Sequence, residues 1–411
     1  MAPKKANTDH VKCPRCGAIG PYTGGFYYVG GDKLHQYKCK FCNKQFRSKD
    51  EYDEHELKKL LGKPIKNENS AITMEIQQEL KDYTPKPFGE KKTYPQDWPI
   101  YEKACSQEKL MFLRIINYAV EYLNIDYKYK GNGRPPAHYA DILKSICIKS
   151  YNNYSSWRVQ SELKIAKAMG VIDFVHKRTT LNKYMQDPNI AIMLHKLYKI
   201  IAEPLSQIEV YFSIDATGIS NSYGNTRWIK IRHTKTEKKQ KKEYTKLHIV
   251  SGVKTNVICS ARVTRGIRHE SPYFKELVTE AAQTFTIKEL SADAGYLSRD
   301  NVKTVAGLGG LPFIMPKKTV SIPTKGLISP WAAMLRLWKK HQMLFAQHYH
   351  RRSNVESTFG ALKRKFGDFC RCKKPETQES EILAKIVCFN AAVLAEALLS
   401  YDLKGDFIDG L

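Results

Sequence analysis

From about Gln107 to Pro204 the apolar residues of this 411-residue chain recur at helical spacing, and just beyond Pro204 they begin to recur at every second position. That switch divides the chain into a helical part and a part built on strands. In Val210-Tyr-Phe-Ser-Ile-Asp215, residues Val210, Phe212 and Ile214 take one face and Asp215 the other, at the expected end of the strand. A second strand-like run, Thr286 to Ala292, also ends in an acid, Asp293. A carboxylate at the edge of a buried sheet is costly without a partner or a metal, yet either aspartate alone reads more readily as a turn or cap residue. Other strand-like runs are Arg227 to Ile231, Leu247 to Val250 and Val257 to Val263, with Lys238, Lys239, Lys241 and Lys242 in a basic tip between the first two. Ser271-Pro272 opens a helix that turns Phe274, Leu277, Val278 and Ala281 inward, and His269 with Glu270 reads as its entry rather than as a ligand pair.

The helical part begins near Gln107, where Leu110, Ile115, Ile116, Val120 and Leu123 form a stripe. Helices are expected at Tyr139 to Ser150, at Ser156 to Met169 with Gly170 as its C′ residue, and at Thr180 to Met185. The basic run Lys177 to Tyr184 is compatible with a helix-turn-helix and equally with a plain bundle. Residues 61–106 are polar and interrupted by Pro85, Pro87, Pro95 and Pro99, which marks a linker. The expected order is a module over 1–60, this linker, a helical domain over 107–204 and a sheet domain over 205–411.

The first module is defined by cysteines. Cys13-Pro-Arg-Cys16 and Cys39-Lys-Phe-Cys42 bracket two strand-like runs, Phe26 to Val29 and Leu34 to Lys38, around Gly30-Gly31-Asp32. Two Cys knuckles joined by a hairpin predict a zinc ribbon, with Cys13, Cys16, Cys39 and Cys42 closing a tetrahedral Zn²⁺ site. A finger built on Cys39, Cys42 and His55 fails, because no further His follows at the needed spacing. Four thiolates leave no open position, so the zinc is structural and its module serves contacts with nucleic acid or protein.

No apolar run of signal-peptide length opens the chain, so the expected compartment is the cytoplasm. The stretch Ile382 to Leu399 is apolar enough to suggest a membrane, but Lys385, Asn390 and Glu396 within it favour a buried helix of a protein that meets no bilayer. With 67 Lys and Arg against 41 Asp and Glu, the formal charge is +26. That excess favours a polyanion, and with the membrane set aside the leading partner is nucleic acid.

One more segment brings the acids together. Rotation of about 100° per residue places Tyr349, Arg352, Glu356 and Lys363 within an arc of about 60° on a single expected helix. Val355, Phe359, Leu362 and Phe366 lie around its side and would pack it on the sheet. Glu356 then stands at the margin of core and cleft, within reach of the two aspartates.

These residues fill every position of the Y-x2-R-x3-E-x6-K signature, and with Phe212-Ser-Ile-Asp215-Ala-Thr217 and Ala292-Asp293-Ala-Gly295-Tyr296 the chain resembles the DDE transposases of prokaryotic insertion sequences. The resemblance spans roughly Ala137 to Leu399 and implies an RNase H-like α/β fold, a mixed sheet flanked by helices. It implies catalysis by Asp215, Asp293 and Glu356 through Mg²⁺ or Mn²⁺, since hard oxygen donors suit two ions about 3.5–4 Å apart that serve an in-line phosphoryl displacement. It implies contacts to double-stranded DNA, at transposon ends and target, from Tyr349, Arg352 and Lys363. Arg351 and Arg364 belong to the same basic stretch, where eight Lys and Arg stand against two acids between Tyr349 and Lys374. A homodimer in the DNA complex and a place on the nucleoid follow from the family. The alternative is a transposase-derived DNA-binding protein without catalysis, in which the three acids would be free to decay.

Overall fold

A computed structural model describes residues 98–125, 136–221, 244–266, 269–317, 319–321 and 329–411 in full, and the backbone of three short N-terminal strands. By internal contacts the chain forms two units, Met1–Pro95 with Arg336–Gln347, and Gln96–Leu335 with His348–Leu411.

In the first unit, β1 (Phe26–Val29) and β2 (Asp32–Lys38) pair antiparallel with Val29 opposite Asp32, the hairpin expected from the sequence. A third strand not anticipated, β3 (Gln45–Arg47), pairs with the far end of β2. Cys13, Cys16, Cys39 and Cys42 lie outside the described residues.

The second unit opens with α1 (Trp98–Tyr122). This helix starts nine residues before Gln107, inside the expected linker. Pro99 does not interrupt it but stands in its first turn, where no backbone N–H is required. Then come α2 (Tyr139–Tyr151), α3 (Val159–Ala168), α4 (Arg178–Tyr184) and α5 (Pro188–Ala202). Gly170, with φ of 74°, ends the α3 turn in the left-handed conformation that a side chain would strain. The α5 start was signalled in the sequence: Asp187 accepts the Asn189 N–H at 3.0 Å, and Pro188 follows at N1.

Five strands, β4 (Tyr211–Ser220), β5 (Tyr244–Gly252), β6 (Ile258–Arg265), β7 (Glu289–Ala292) and β8 (Leu311–Ile314), form one sheet in the order β6-β5-β4-β7-β8. The first three are antiparallel neighbours, while β4–β7 and β7–β8 run parallel. Parallel pairing needs crossovers, supplied by α6 (Phe274–Ala281) and α7 (Arg299–Gly307). Phe274, Leu277, Val278 and Ala281 of α6 are buried, as its pattern predicts. This mixed sheet flanked by helices is consistent with an RNase H-like α/β fold. The basic tip carrying Lys238, Lys239, Lys241 and Lys242, and the run Arg227 to Ile231, lie outside the described residues.

The remaining helices are α8 (Pro330–Lys340), α9 (Gln342–Tyr349), α10 (Ser353–Phe366), α11 (Pro375–Ser400) and α12 (Asp406–Asp409). Among the described residues α11 alone is long and apolar enough to cross a membrane. In this fold it is a core element packed against α1, α2 and α5. Two of the three polar residues that weighed against a bilayer, Lys385 and Asn390, serve inside it as bridges to its neighbours, while Glu396 is exposed. Asn390 accepts the Ile258 N–H at 3.0 Å and donates to the carbonyls of Ile258 and Tyr198 at 2.9 and 3.1 Å. Lys385 donates to the Phe369 carbonyl at 2.6 Å and has the buried Glu381 carboxylate at 3.8 Å as its counter-charge, so both buried groups are partnered.

Candidate active site

Asp215 and Asp293 are brought together by register. Ile214 on β4 pairs in parallel with Ala292 on β7, so the following residues of the two strands are also neighbours, at the strand spacing of about 4.7–4.9 Å. Asp215 is not at the end of its strand, as the alternation suggested: β4 runs on to Ser220 because β5 continues to pair with it as far as Tyr244. Asp293 does follow the last residue of β7. Its Oδ1 accepts the Gly295 N–H at 2.8 Å, capping a short 3-10 turn, Ala294–Tyr296. It is thus both a turn residue and a member of an acidic group.

A third carboxylate completes that group, and it is Glu270. Ligand-type oxygens of Asp215, Glu270 and Asp293 lie within 4.8 Å of one another. Two like charges about 4 Å apart repel by about 1 kcal/mol in water and about 4 kcal/mol at a surface-like effective dielectric of about 20, so such an arrangement asks for cations. Three hard oxygen donors at this separation fit a divalent ion of the Mg²⁺ or Mn²⁺ kind. The strain is visible at Asp215, whose carboxyl is pushed up to about 6 by burial, with Asp293 and Glu270 adding repulsion against the Ala216 N–H and Arg352, which oppose the shift.

Glu356 does not join this group. Its side chain is 59% exposed and takes both guanidinium nitrogens of Arg352, at 2.7 and 3.0 Å, one turn earlier. The same guanidinium reaches Asp215 at 3.4 Å, so Arg352 stands between the two carboxylates. The single helix expected from Tyr349 to Lys363 is in fact interrupted by a 3-10 turn at His350–Arg352. The tighter turn aims neighbouring arginines at different strands. Arg352 faces Asp215 on β4, while Arg351 pairs with the buried Glu289 on β7 and lies over the Tyr211 ring at 4.1 Å. His348 Nδ1 meets the same Glu289 carboxylate at 2.9 Å. Arg351 is therefore turned into the protein, away from the surface on which the basic stretch had placed it. Arg364 is exposed near the end of α10.

The position of α10 is fixed from three sides. Val355, Phe359, Leu362 and Phe366 are buried, as the pattern predicts. Asn354 donates to the Val253 carbonyl at 2.6 Å and to Asn256 Oδ1 at 2.9 Å, and Thr358 donates to that same oxygen at 3.0 Å. Asn256, in the β5–β6 turn, holds φ of 65°, which Asn tolerates better than most residues. Beyond the helix, Cys370 N–H donates to the Ser220 carbonyl at 2.8 Å and Ser220 N–H to Asp368 at 3.0 Å, tying the chain after α10 to the end of β4. Lys363 Nζ then donates to Thr217 Oγ1 at 2.5 Å, two residues past Asp215. Tyr349 accepts from Arg352 Nε at 3.3 Å, and its hydroxyl proton is held by burial and by the acids Asp293, Asp215 and Glu356, against Arg352.

Sequence reasoning placed Glu270 at a helix entry and gave Tyr296 no role. Glu270 stands at that entry without capping it, and its carboxylate turns to the sheet instead. Tyr296 is fully buried beneath the acids. The signal for Tyr296 was its place three residues past Asp293; for Glu270 there was none beyond its charge. A second basic feature also emerges: Lys149, Arg371, Lys373 and Lys374 line one cleft with Ser155 and Asn182.

No curated protein matches the chain. Residues 209–391, which hold the mixed sheet, all four acids and Tyr349, Arg352, Glu356 and Lys363, match the family model described as Transposase DDE domain, so this part of the chain is a DDE transposase domain, of the class of polynucleotidyl transferases and nucleases.

Proposed function

We propose that this enzyme binds the ends of an insertion sequence, cleaves there and joins the freed 3′ ends to target DNA, with Asp215, Asp293 and Glu356 as its catalytic acids. The observation that carries this reading is the parallel register of Ile214 with Ala292, which sets Asp215 beside Asp293 inside the matched domain. Family members use divalent metal, and a bound Mg²⁺ or Mn²⁺ pair would polarise the scissile phosphate, lower the pKa of an attacking water and balance the leaving oxygen. Asp215 and Asp293 would hold those ions, with Glu356 joining once the guanidinium of Arg352 shifts from between the carboxylates to a DNA phosphate.

Lys363 would contact the backbone near the cut, a role supported by its ammonium lying beside Thr217. Tyr349 would orient Arg352 or stack on a base. The cleft of Lys149, Arg371, Lys373 and Lys374 extends the basic surface toward α4 and fits the flanking duplex. Cys13, Cys16, Cys39 and Cys42 would hold a structural Zn²⁺, supported by their spacing around the β1–β2 hairpin. Two copies acting together would pair the two ends.

The test uses DNA carrying the inverted repeats that bracket the reading frame, with Mg²⁺, and the variants Asp215→Ala, Asp293→Ala and Glu356→Ala. Loss of cleavage in each supports the reading. Retained cleavage in all three defeats it. Strand-transfer products, as opposed to nicked DNA alone, separate a transposase from a purely hydrolytic nuclease.

A further inference from the structure

Glu270 precedes the Ser271–Tyr273 turn that leads into α6, and the Asp-Asp-Glu pattern of the domain does not include it. An acid at a helix entry ordinarily caps the helix, but this side chain makes no capping hydrogen bond. It reaches instead toward the tip of the β4–β7 pair, where its oxygen comes within 4.8 Å of oxygens of Asp215 and Asp293. Among the described residues its ion-pair partner is Lys246 of β5, with Nζ at 2.5 Å from Oε1. An ammonium is a suitable stand-in for a metal ion, since it neutralises a carboxylate without fixing a coordination geometry.

A second observation points into the same space. Tyr296 is fully buried, and its hydroxyl has no hydrogen-bond partner at ordinary geometry among the described residues. Burial raises the pKa of that hydroxyl most, and the charge of Glu270 follows, ahead of Asp215 and Asp293, with a hydrogen-bond contact to Glu270 looser than ordinary geometry adding to it. A buried O–H donor without an acceptor is costly. Beneath a carboxylate that turns slightly to ligate a cation, it gains one, and such second-rank donors orient metal ligands.

We propose that Glu270 is a further ligand of the divalent metal site, facing the ion with Asp215 and Asp293, and that Lys246 neutralises it when no ion is bound. Tyr296 then acts as a positioning residue under the Glu270 carboxylate. The proposal rests on the reading of Asp215 and Asp293 as metal-holding residues.

Manganese binding to the full-length protein without DNA provides the test, with free Mn²⁺ followed by its electron paramagnetic resonance signal. Glu270→Gln should weaken Mn²⁺ affinity on the order of 10–100-fold, Asp215→Asn should weaken it at least as much, and Lys246→Met should tighten it. Glu276→Gln, an exposed charge on α6, controls for general electrostatics and should change nothing. If Asp215→Asn loses Mn²⁺ while Glu270→Gln binds it as the unaltered chain does, Glu270 is only the partner of Lys246 and the proposal falls. Unchanged binding in both variants sinks the reading of the site as well.

Should Glu270→Gln fail to fold, iron replaces mutagenesis. Fe²⁺ with hydrogen peroxide, and ascorbate to re-reduce Fe³⁺, on the unaltered protein should cut the backbone beside Glu270 as well as beside Asp215 and Asp293, and excess Mg²⁺ should suppress all three cuts. Cuts at the two aspartates without one at Glu270 overturn the proposal.

Discussion

Arg352 and Asp215, 137 positions apart, meet at 3.4 Å, and the same guanidinium bonds Glu356 at 2.7 Å. A fixed cation thus sits between the two carboxylates that, as proposed, would otherwise converge on a metal. Replacing Arg352 by Ala should move two quantities in opposite directions. Mn²⁺ affinity should rise, because a competing charge is gone, whereas DNA cleavage should fall on the order of 10²–10³-fold through loss of a phosphate-stabilising group. Metal titration beside single-turnover cleavage checks this; parallel changes in both would show that Arg352 does not compete with the ion.

Lys363 is half-buried, and burial lowers its ammonium pKa while Asp368 opposes that shift. Its contact with Thr217 leaves it beside the strand that carries Asp215. Lys363→Ala should weaken binding to all duplexes alike and lower the slope of log affinity against log salt by about 0.9. Fluorescence anisotropy from low to moderate salt measures the slope, and an unaltered slope would remove Lys363 from the phosphate contacts.

Asn256 Oδ1 accepts from both Asn354 and Thr358 and so seats α10 on the sheet. Asn256→Ala should cost about 1–3 kcal/mol for the stranded donors, and it should also lower cleavage, because Glu356 rides on that helix. Asn256→Asp keeps the acceptor and should restore cleavage. Failure of Asp to rescue would mean that the turn, not the hydrogen bonds, holds the helix. Denaturant melts and cleavage rates together decide the point.

Glu381 is buried near Lys385, with Nζ at 3.8 Å, and accepts the N–H groups of Arg371 and Cys372 at 2.9 Å each. Burial raises its pKa, but Lys149, Lys385 and those donors outweigh it, and the net shift is downward. A depressed carboxyl contributes stability that is present above its unfolded value of about 4.3 and lost as pH falls through the folded value. Glu381→Gln should cost about 3–5 kcal/mol at neutral pH by leaving buried lysine charge uncompensated. It should also make stability less steep in pH on the acid side. Urea unfolding from pH 7 down to 4 measures both, and equal slopes in the two proteins would contradict the pairing.

The purified chain should carry about one zinc ion that four thiolates hold in a closed site. Cys13→Ser and Cys42→Ser should each release it, read by metal analysis after gel filtration. Mn²⁺ binding at the acidic group should survive, since Zn²⁺ and Mn²⁺ sites use separate residues. Full zinc retention in both variants would rule out the ribbon.

Period and spacing were enough to locate most elements. The switch after Pro204 falls just before β4, the first strand of the five-stranded sheet, the inward faces of α6 and α10 were readable residue by residue, and Asp215 and Asp293 stood out as acids following apolar runs. These are local properties: a strand or helix exposes its pattern along the chain itself. The start of α1 at Trp98 was also readable, had Pro99 been taken as an opening residue. The β3 strand, three residues long, carries too short a pattern to be seen.

The sequence by itself determined which residues carry charge, which faces are apolar and which family the motifs resemble. Only the tertiary structure decided which acids meet. Parallel pairing of β4 with β7 places Asp215 beside Asp293 and the α6 entry adds Glu270, whereas a 3-10 turn keeps Glu356 with Arg352 and turns Arg351 to Glu289. The reason is physical. Charge repulsion, salt pairing and metal affinity depend on distances of a few ångströms between residues far apart in the chain, and those distances follow from register and turn geometry, which no local pattern records.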